Sequence, residues 1–288
     1  MTLSILMPVY KDFEIINKCI ESVIAQNYTD FELLIGDDSL SEDVQKMIEV
    51  FNDNRIIFFK NTKGLGSIKN TNHLLERASG KYIKIQHQDD IMFSEDSLGD
   101  AMNDITKNNY DCYFGKVVVY HEKLKRVSFR KYCDNLNAIV KKNPQVLYGN
   151  NYIGSPSNFI FKTNLKEYFN ENFKYFVDVD FYIKVISKSK KLGNSIGFLT
   201  LSIHARKYQI SKDVESSYKY EALEFLDGVR KYSEDYPSEI KTYWSVMLSK
   251  YGYTFYKDSV DRNINMKRAI NVTTFIKAFI GRKVLSRC

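Results

Sequence analysis

The chain has 288 residues, of which 44% are hydrophobic and only 13 are Gly and 4 Pro, so it has the makings of a large buried core and none of a low-complexity or collagen-like polymer. Its net charge of +7 is concentrated at one end: from 259 onward, Arg262, Lys267, Arg268, Lys277, Arg282, Lys283 and Arg287 face a single Asp261. No apolar run approaches the length of a membrane-spanning helix, and MTLSILMPVY lacks the basic start and cleavage site of a signal peptide. A cytoplasmic protein is therefore expected, with its basic tail offered to an anionic surface. Four scattered cysteines show neither zinc spacing nor a disulfide framework, and Cys19 and Cys112 sit in core-like patterns.

Along the chain, Leu3 to Met7 reads as a strand ended by Pro8, and Ile15, Cys19, Ile20, Val23 and Ile24 share one helical face. Strand-like Phe31 to Ile35, a helix near Asp43 to Phe51, strand Ile56 to Phe59, a helix around Asn70 to Ala78 and strand Tyr82 to Ile85 follow. This βαβαβαβ rhythm predicts an α/β fold, a mainly parallel sheet covered by helices on both faces. Further strands are expected at Cys112 to Tyr120, Asn158 to Phe161 and Ser195 to Ile203, with a helix from Asp180 to Ser189. From about 211 onward the pattern is helical only, and its last stripe, Phe275, Ile276, Phe279 and Ile280, alternates with Lys277, Arg282 and Lys283. The expected division is 1–210 and 211–288.

Ligands of such sheets bind at the carboxyl ends of the strands. Two acidic pairs stand there, Asp37 with Asp38 and Asp89 with Asp90. Adjacent carboxylates repel unless a cation or hydrogen-bond donors compensate, which suggests a metal or polar ligand. The alternative is local: Asp residues favour helix N-termini, and Ser39 or Ser41 could cap the next helix. After the second pair, Ser94 with Glu95 and Asp96 reads as an N-cap and first helical turn.

The stretches SILMPVYKD, CIESVIAQNYTDFELLIGDDS, NHLLERASGKYIKIQHQDD and FVDVDFYIKV, in that order over roughly residues 3 to 210, resemble the family 2 nucleotide-sugar glycosyltransferases of GT-A fold. The resemblance implies that Pro8, Val9 and Tyr10 lie beside the nucleotide and that Asp38 meets its base, with UDP-sugars favoured and TDP-sugars the alternative. The family's Asp-x-Asp metal motif falls on His87, Gln88 and Asp89, followed by Asp90. Only its last Asp is kept, so Asp89 inherits the contact to Mn²⁺ or Mg²⁺, while His87 or Gln88 replaces the ribose contact of the first.

By the same resemblance Asp178 of FVDVD is the catalytic base, against the simpler reading that Asp178 or Asp180 caps the next helix. Gly154, Ser155 and Pro156 shape the acceptor side or merely a turn. Asp90, Ser155 and Arg206 are candidate acceptor or diphosphate contacts, and His204 is a weaker metal candidate that reads equally well as an ordinary histidine. The implied reaction is inverting transfer to a hydroxyl of a glycan or lipid-linked acceptor, in synthesis of a cell-surface polysaccharide, lipopolysaccharide or glycoprotein glycan. Asp178 would take the hydroxyl proton, and the metal would stabilise the departing nucleoside diphosphate.

The C-terminal stripes pack into a core, into a homodimer, or onto the inner face of the plasma membrane; the basic alternation favours the membrane. Nucleic acid is not expected, because the tail carries no recognised binding module. Two other readings compete. A sugar-nucleotide pyrophosphorylase would need a Gly-rich loop that SILMPVYKDFE lacks, and a catalytically degenerate partner protein would draw its support from His87 and Gln88.

Overall fold

The computed structural model describes residues 1–39, 41–121, 125–129, 136–142, 144, 147, 151–173 and 176–204. The expected C-terminal helices, with Arg206, lie outside the described residues. Two compact units emerge, one built from Met1–Arg130, Ile153–Glu171 and Asp180–Gln209, the other holding Lys131–Tyr152 and Asn172–Val179.

The first unit carries a nine-stranded sheet. Its strands are β1 (Leu3–Val9), β2 (Phe31–Asp37), β3 (Ile56–Lys60), β4 (Tyr82–Ile85), β5 (Asp90–Met92), β6 (Cys112–His121), β7 (Arg126–Phe129), β8 (Phe159–Lys162) and β9 (Leu192–His204). The order is β3-β2-β1-β4-β8-β6-β9-β5, with β7 paired to β6. The first four strands run parallel, in the register Leu3↔Phe31, Leu33↔Ile56 and Leu3↔Tyr82, as the βαβ rhythm demands. Later strands extend the sheet: β8 joins β4 antiparallel, and β6 and β9 pair parallel beyond it. In that pair Gly115 is obligatory, since a Cβ there would stand 1.9 Å from the Phe198 carbonyl oxygen.

Alternation along the strands divides the two faces. Odd positions Leu3, Ile5, Met7, Leu33 and Ile35 pack against Ile16, Cys19 and Ile20 of α1 (Phe13–Ile24), Val44 and Ile48 of α2 (Asp43–Phe51) and Leu98, Met102 and Ile105 of α4 (Ser97–Asn108). The opposite face takes α3 (Ser67–Arg77), whose Asn70 and Leu74 lie so close to Gly36 that a Cβ would be 2.4 Å from Asn70 Oδ1. Two further helices are α5 (Leu136–Lys142), in the second unit, and α6 (Val177–Lys188), which begins in the second unit and continues in the first.

Three local expectations are corrected. Pro8 does not end β1 but pairs with Gly36 inside it. The β1–β4 ladder stops at Leu6↔Ile85, so no β4 carbonyl waits for the N–H that Pro8 lacks. Ser94 does not cap α4; that position belongs to Asp96, and the early N–H of Leu98 is taken instead by Gln26 Oε1 at 3.0 Å. Neither Ser39 nor Ser41 caps α2, whose N-cap is Glu42.

The connection from β1 goes to β2 on one side, and the chain returns through β4 on the other. The switch point of the sheet is therefore between the carboxyl ends of β1 and β4, where the connections leave for opposite sides and where sheets of this kind bind their ligands.

Candidate active site

Residues 8–12 at the end of β1 and 86–90 after β4 flank the switch point. Tyr10 N donates to Gln88 Oε1 at 2.6 Å, and Gln88 Nε2 donates back to Tyr10 O at 3.1 Å, a two-bond bridge between the two segments. Beyond the bridge, Lys11 and Asp12 both have left-handed backbones, φ 51° and 57°, costly for residues with a Cβ and characteristic of functional turns. The Tyr10 ring is 45% exposed, with Lys11 Nζ 4.8 Å from its centroid. Of the expected nucleotide contacts, Pro8, Val9, Tyr10 and Gln88 thus gather at one place.

The 86–90 segment is a tight turn in which Asp90 N donates to His87 O at 3.1 Å. Its underside is fixed by buried groups. Cys19 Sγ donates to Asp90 O at 3.1 Å, Gln86 Nε2 donates to the same oxygen, and Lys84 Nζ donates to Gln86 Oε1. Lys84 is fully buried, and that burial lowers its ammonium to about 7, while burial pushes the Cys19 thiol up.

Above the turn, His87, Asp89 and Asp90 present ligand atoms that all lie within 4.8 Å of one another. Imidazole and carboxylate together suit a divalent cation such as Mn²⁺ better than Mg²⁺, which prefers oxygen alone. The donor set thus fits the expected metal, with Asp89 and His87 half-buried and Asp90 buried. The Asp90 carboxylate has partners of its own: Oδ2 accepts from Ser157 Oγ at 2.6 Å and from Ser155 Oγ. Ser155 Oγ also lies 3.5 Å from His87 Nδ1.

The first acidic pair behaves differently. Asp37 accepts from Ser39 N at 2.8 Å and pairs with Lys60 Nζ at 2.7 Å, fully buried. Asp38 grips the loop after β3: its carboxylate accepts from Leu65 N at 2.7 Å, Gly66 N at 2.8 Å and Asn61 Nδ2 at 3.0 Å. Gly66 meets it with a φ of 81°, which a side chain would resist. A cavity of about 260 Å³ opens beside this loop, lined among others by Phe59, Lys60, Asn61, Asn70, His73 and Arg77, none of them in the 86–90 turn.

Asp178 and Asp180 both fall within the first turn of α6, which starts at Val177 rather than at Asp180. Asp180 pairs with Lys184 at 2.6 Å, one turn on. Tyr182 Oη donates to Gly154 O at 3.0 Å, tying this helix to the loop of Ser155 and Ser157. His204 closes β9, in register with His121, and Ile203 N donates to Asp89 O at 3.2 Å; the His204 side chain is not among those described. Sequence reasoning missed Ser157, Cys19 and Lys84. A lysine in a core strand and a second serine after Ser155 were the available signals.

The described residues include no helix long and apolar enough to cross a membrane. Across known proteins, the WfgD protein of Escherichia coli, a UDP-Glc:alpha-D-GlcNAc-diphosphoundecaprenol beta-1,3-glucosyltransferase, is 27% identical over 76% of this chain and 81% of its own. A GalNAc(5)-diNAcBac-PP-undecaprenol beta-1,3-glucosyltransferase of Campylobacter jejuni is 30% identical over 32% of this chain and 31% of its own. Among solved structures, Staphylococcus aureus TarS (residues 1–349) with UDP-GlcNAc superposes with a TM-score of 0.65 at 16% identity, covering 96% of this chain and 79% of that one. The mannosyltransferase PcManGT of Pyrobaculum calidifontis, with GDP-Man and Mn²⁺, gives 0.61 at 10%, covering 98% and 79%. The fold is thus GT-A. The model of glycosyl transferase family 2 matches residues 4–169, more than half of the chain, and with the strand-end site in place the chain belongs to that family.

Proposed function

We propose that this chain is an inverting, metal-assisted glycosyltransferase that moves a sugar from a UDP-sugar, UDP-glucose being the first to test, to a hydroxyl of a lipid-linked glycan. The observation that carries this reading is the convergence of Tyr10, Gln88, His87 and Asp89 at the switch point of the sheet, where such folds bind nucleotides. The donor and acceptor classes are supported by the printed activities of the Escherichia coli and Campylobacter jejuni relatives, both of which act on undecaprenol-linked sugars.

In this reading Pro8, Val9 and Tyr10 line the nucleotide, and Asp38 holds the loop beside it. Asp89, with His87, would hold the divalent cation, which when bound offsets the charge that develops on the leaving diphosphate. Asp178 serves as the base that takes the proton of the acceptor hydroxyl. Its place in the first turn of α6 fixes it rigidly, one turn before Tyr182 on the same helical face. Residues 1–210 would form the catalytic domain, and 211–288 a helical region whose basic end rests on the cytoplasmic face of the membrane.

The test is binding and slow hydrolysis of UDP-, GDP- and TDP-sugars with Mn²⁺, with Mg²⁺ and in chelator. UDP-glucose hydrolysis that requires Mn²⁺ is the expected result. A chain that binds none of these donors would be a non-catalytic relative, and full activity in saturating chelator would remove the metal from the mechanism.

A further inference from the structure

The His87–Asp89–Asp90 cluster invites the view that all three side chains ligate the cation, yet one oxygen of Asp90, Oδ2, is engaged elsewhere. It is 1% exposed, and its Oδ2 accepts two hydroxyls, from Ser157 Oγ at 2.6 Å and from Ser155 Oγ. A serine hydroxyl has one proton to give, and that of Ser157 goes to Asp90. The same oxygen accepts from His87 N at 2.8 Å. One buried hydroxyl therefore ties together the first residue of the His87–Asp90 turn and the last.

The main chain of Asp90 is fixed as firmly. It lies in β5 opposite Ser202, and its carbonyl oxygen accepts from both Cys19 and Gln86. Asp89 differs, half-buried and placed at the turn itself. A carboxylate that ligates a cation directs lone pairs toward it. On Asp90 the oxygen Oδ2 is committed to two serine hydroxyls, and near-complete burial on a backbone held from below suits it to keep its neighbours in place, the part that outer hydrogen-bond partners play around a metal's own ligands.

We propose that Asp90 is a positioning residue and not a metal ligand. Gripped by Ser155 and Ser157, it sets the His87–Asp89 turn against the 154–157 loop, the loop to which Tyr182 of α6 is also tied. The proposal rests on the reading of this site as a metal-dependent donor site, and its role for Asp90 replaces direct contact with acceptor or diphosphate.

The experiment compares Asp90→Asn, Ser157→Ala and the milder Ser155→Ala with Asp89→Asn in the full chain. It measures Mn²⁺ affinity, kcat and KM for UDP-glucose hydrolysis, and amide hydrogen exchange of the 86–91 segment. Breaking the clamp should weaken Mn²⁺ about tenfold, far less than loss of the Asp89 carboxylate, and lower kcat about tenfold with KM nearly unchanged, because the turn that carries His87 and Asp89 no longer holds its geometry. Exchange at 86–91 should quicken in Asp90→Asn and Ser157→Ala, and a variant carrying both substitutions should be little worse than either alone. Asp89→Asn, by contrast, should lose Mn²⁺ affinity outright. The proposal is overturned if Asp90→Asn weakens Mn²⁺ as much as Asp89→Asn does, or if exchange at 86–91 stays at the wild-type rate in both clamp variants. A wild type that binds no Mn²⁺ would sink the reading of the site, while the exchange measurement still decides the clamp.

Discussion

At the scale of single residues, the two acidic pairs separate by what each carboxylate touches. Asp37 is spent on Lys60 and Ser39, Asp90 on two serines, and Asp38 on the N–H groups of Leu65 and Gly66. Removing Asp38 therefore does two things at once: it takes away the carboxylate proposed to meet the nucleotide, and it releases the loop at 61–66. Asp38→Ala should weaken UDP binding by about 1.5 to 3 kcal/mol, the range for a hydrogen bond to a charged group. Calorimetry on the folded variant checks it, and unchanged UDP affinity would show that neither the carboxylate nor its loop serves the nucleotide. The pairs were legible in the sequence because they are contiguous. Their division of labour was not, since it depends on Lys60, Leu65 and Ser157, which only the fold brings near.

At the scale of elements, the strands and helices of the first half lie where alternation and three-to-four spacing put them, and Asp43–Phe51 and Tyr82–Ile85 coincide with expectation residue for residue. The short elements β5, β7 and α5 were not foreseen, and the other errors came at element ends, where the deciding partner is remote: Gln26 replaces Ser94 at the start of α4, and β4 leaves Pro8 no ladder to disrupt. Lys84 is the sharper surprise, a lysine buried in β4 with its lowered pKa. Its folded value of about 7 lies below the unfolded 10.5, so between those values the unfolded chain binds more protons, and stability rises with pH across that window. Lys84→Met has no such term. Its stability relative to the wild type should be most favourable at pH 7 and should decline toward pH 10, and parallel denaturation curves at the two pH values would contradict the burial argument. The start of α6 carries a prediction of its own. General-base help is typically worth about 10² to 10⁴ in rate. Asp178→Asn should lower transfer by that order with donor and Mn²⁺ affinity nearly intact, whereas Asp180→Asn, which loses the ion pair to Lys184, should do less. Inactivity of the Asp180 variant alone would move the base by two residues.

At the scale of the whole molecule, the charge is unevenly spread, with six of the seven net positive charges falling after 259. Were the acceptor lipid-linked, as proposed, it would stay in its bilayer and the enzyme would have to come to the membrane, an approach that basic side chains interleaved with Phe and Ile suit. Deleting 274–288 should reduce sedimentation with anionic vesicles at low salt while UDP binding persists. If the full chain does not sediment with such vesicles, the tail has another use. The same molecule also contains an internal witness to its own motions. The Cys19 thiol is fully buried beneath the 86–90 turn, with its one proton in reach of the carbonyl oxygens of His87 and Asp90. A thiol reagent can reach it only when α1 and that turn part. The rate at which Cys19 is labelled therefore clocks the opening of this cover, and a ligand that holds the turn closed should slow that clock without itself touching sulfur.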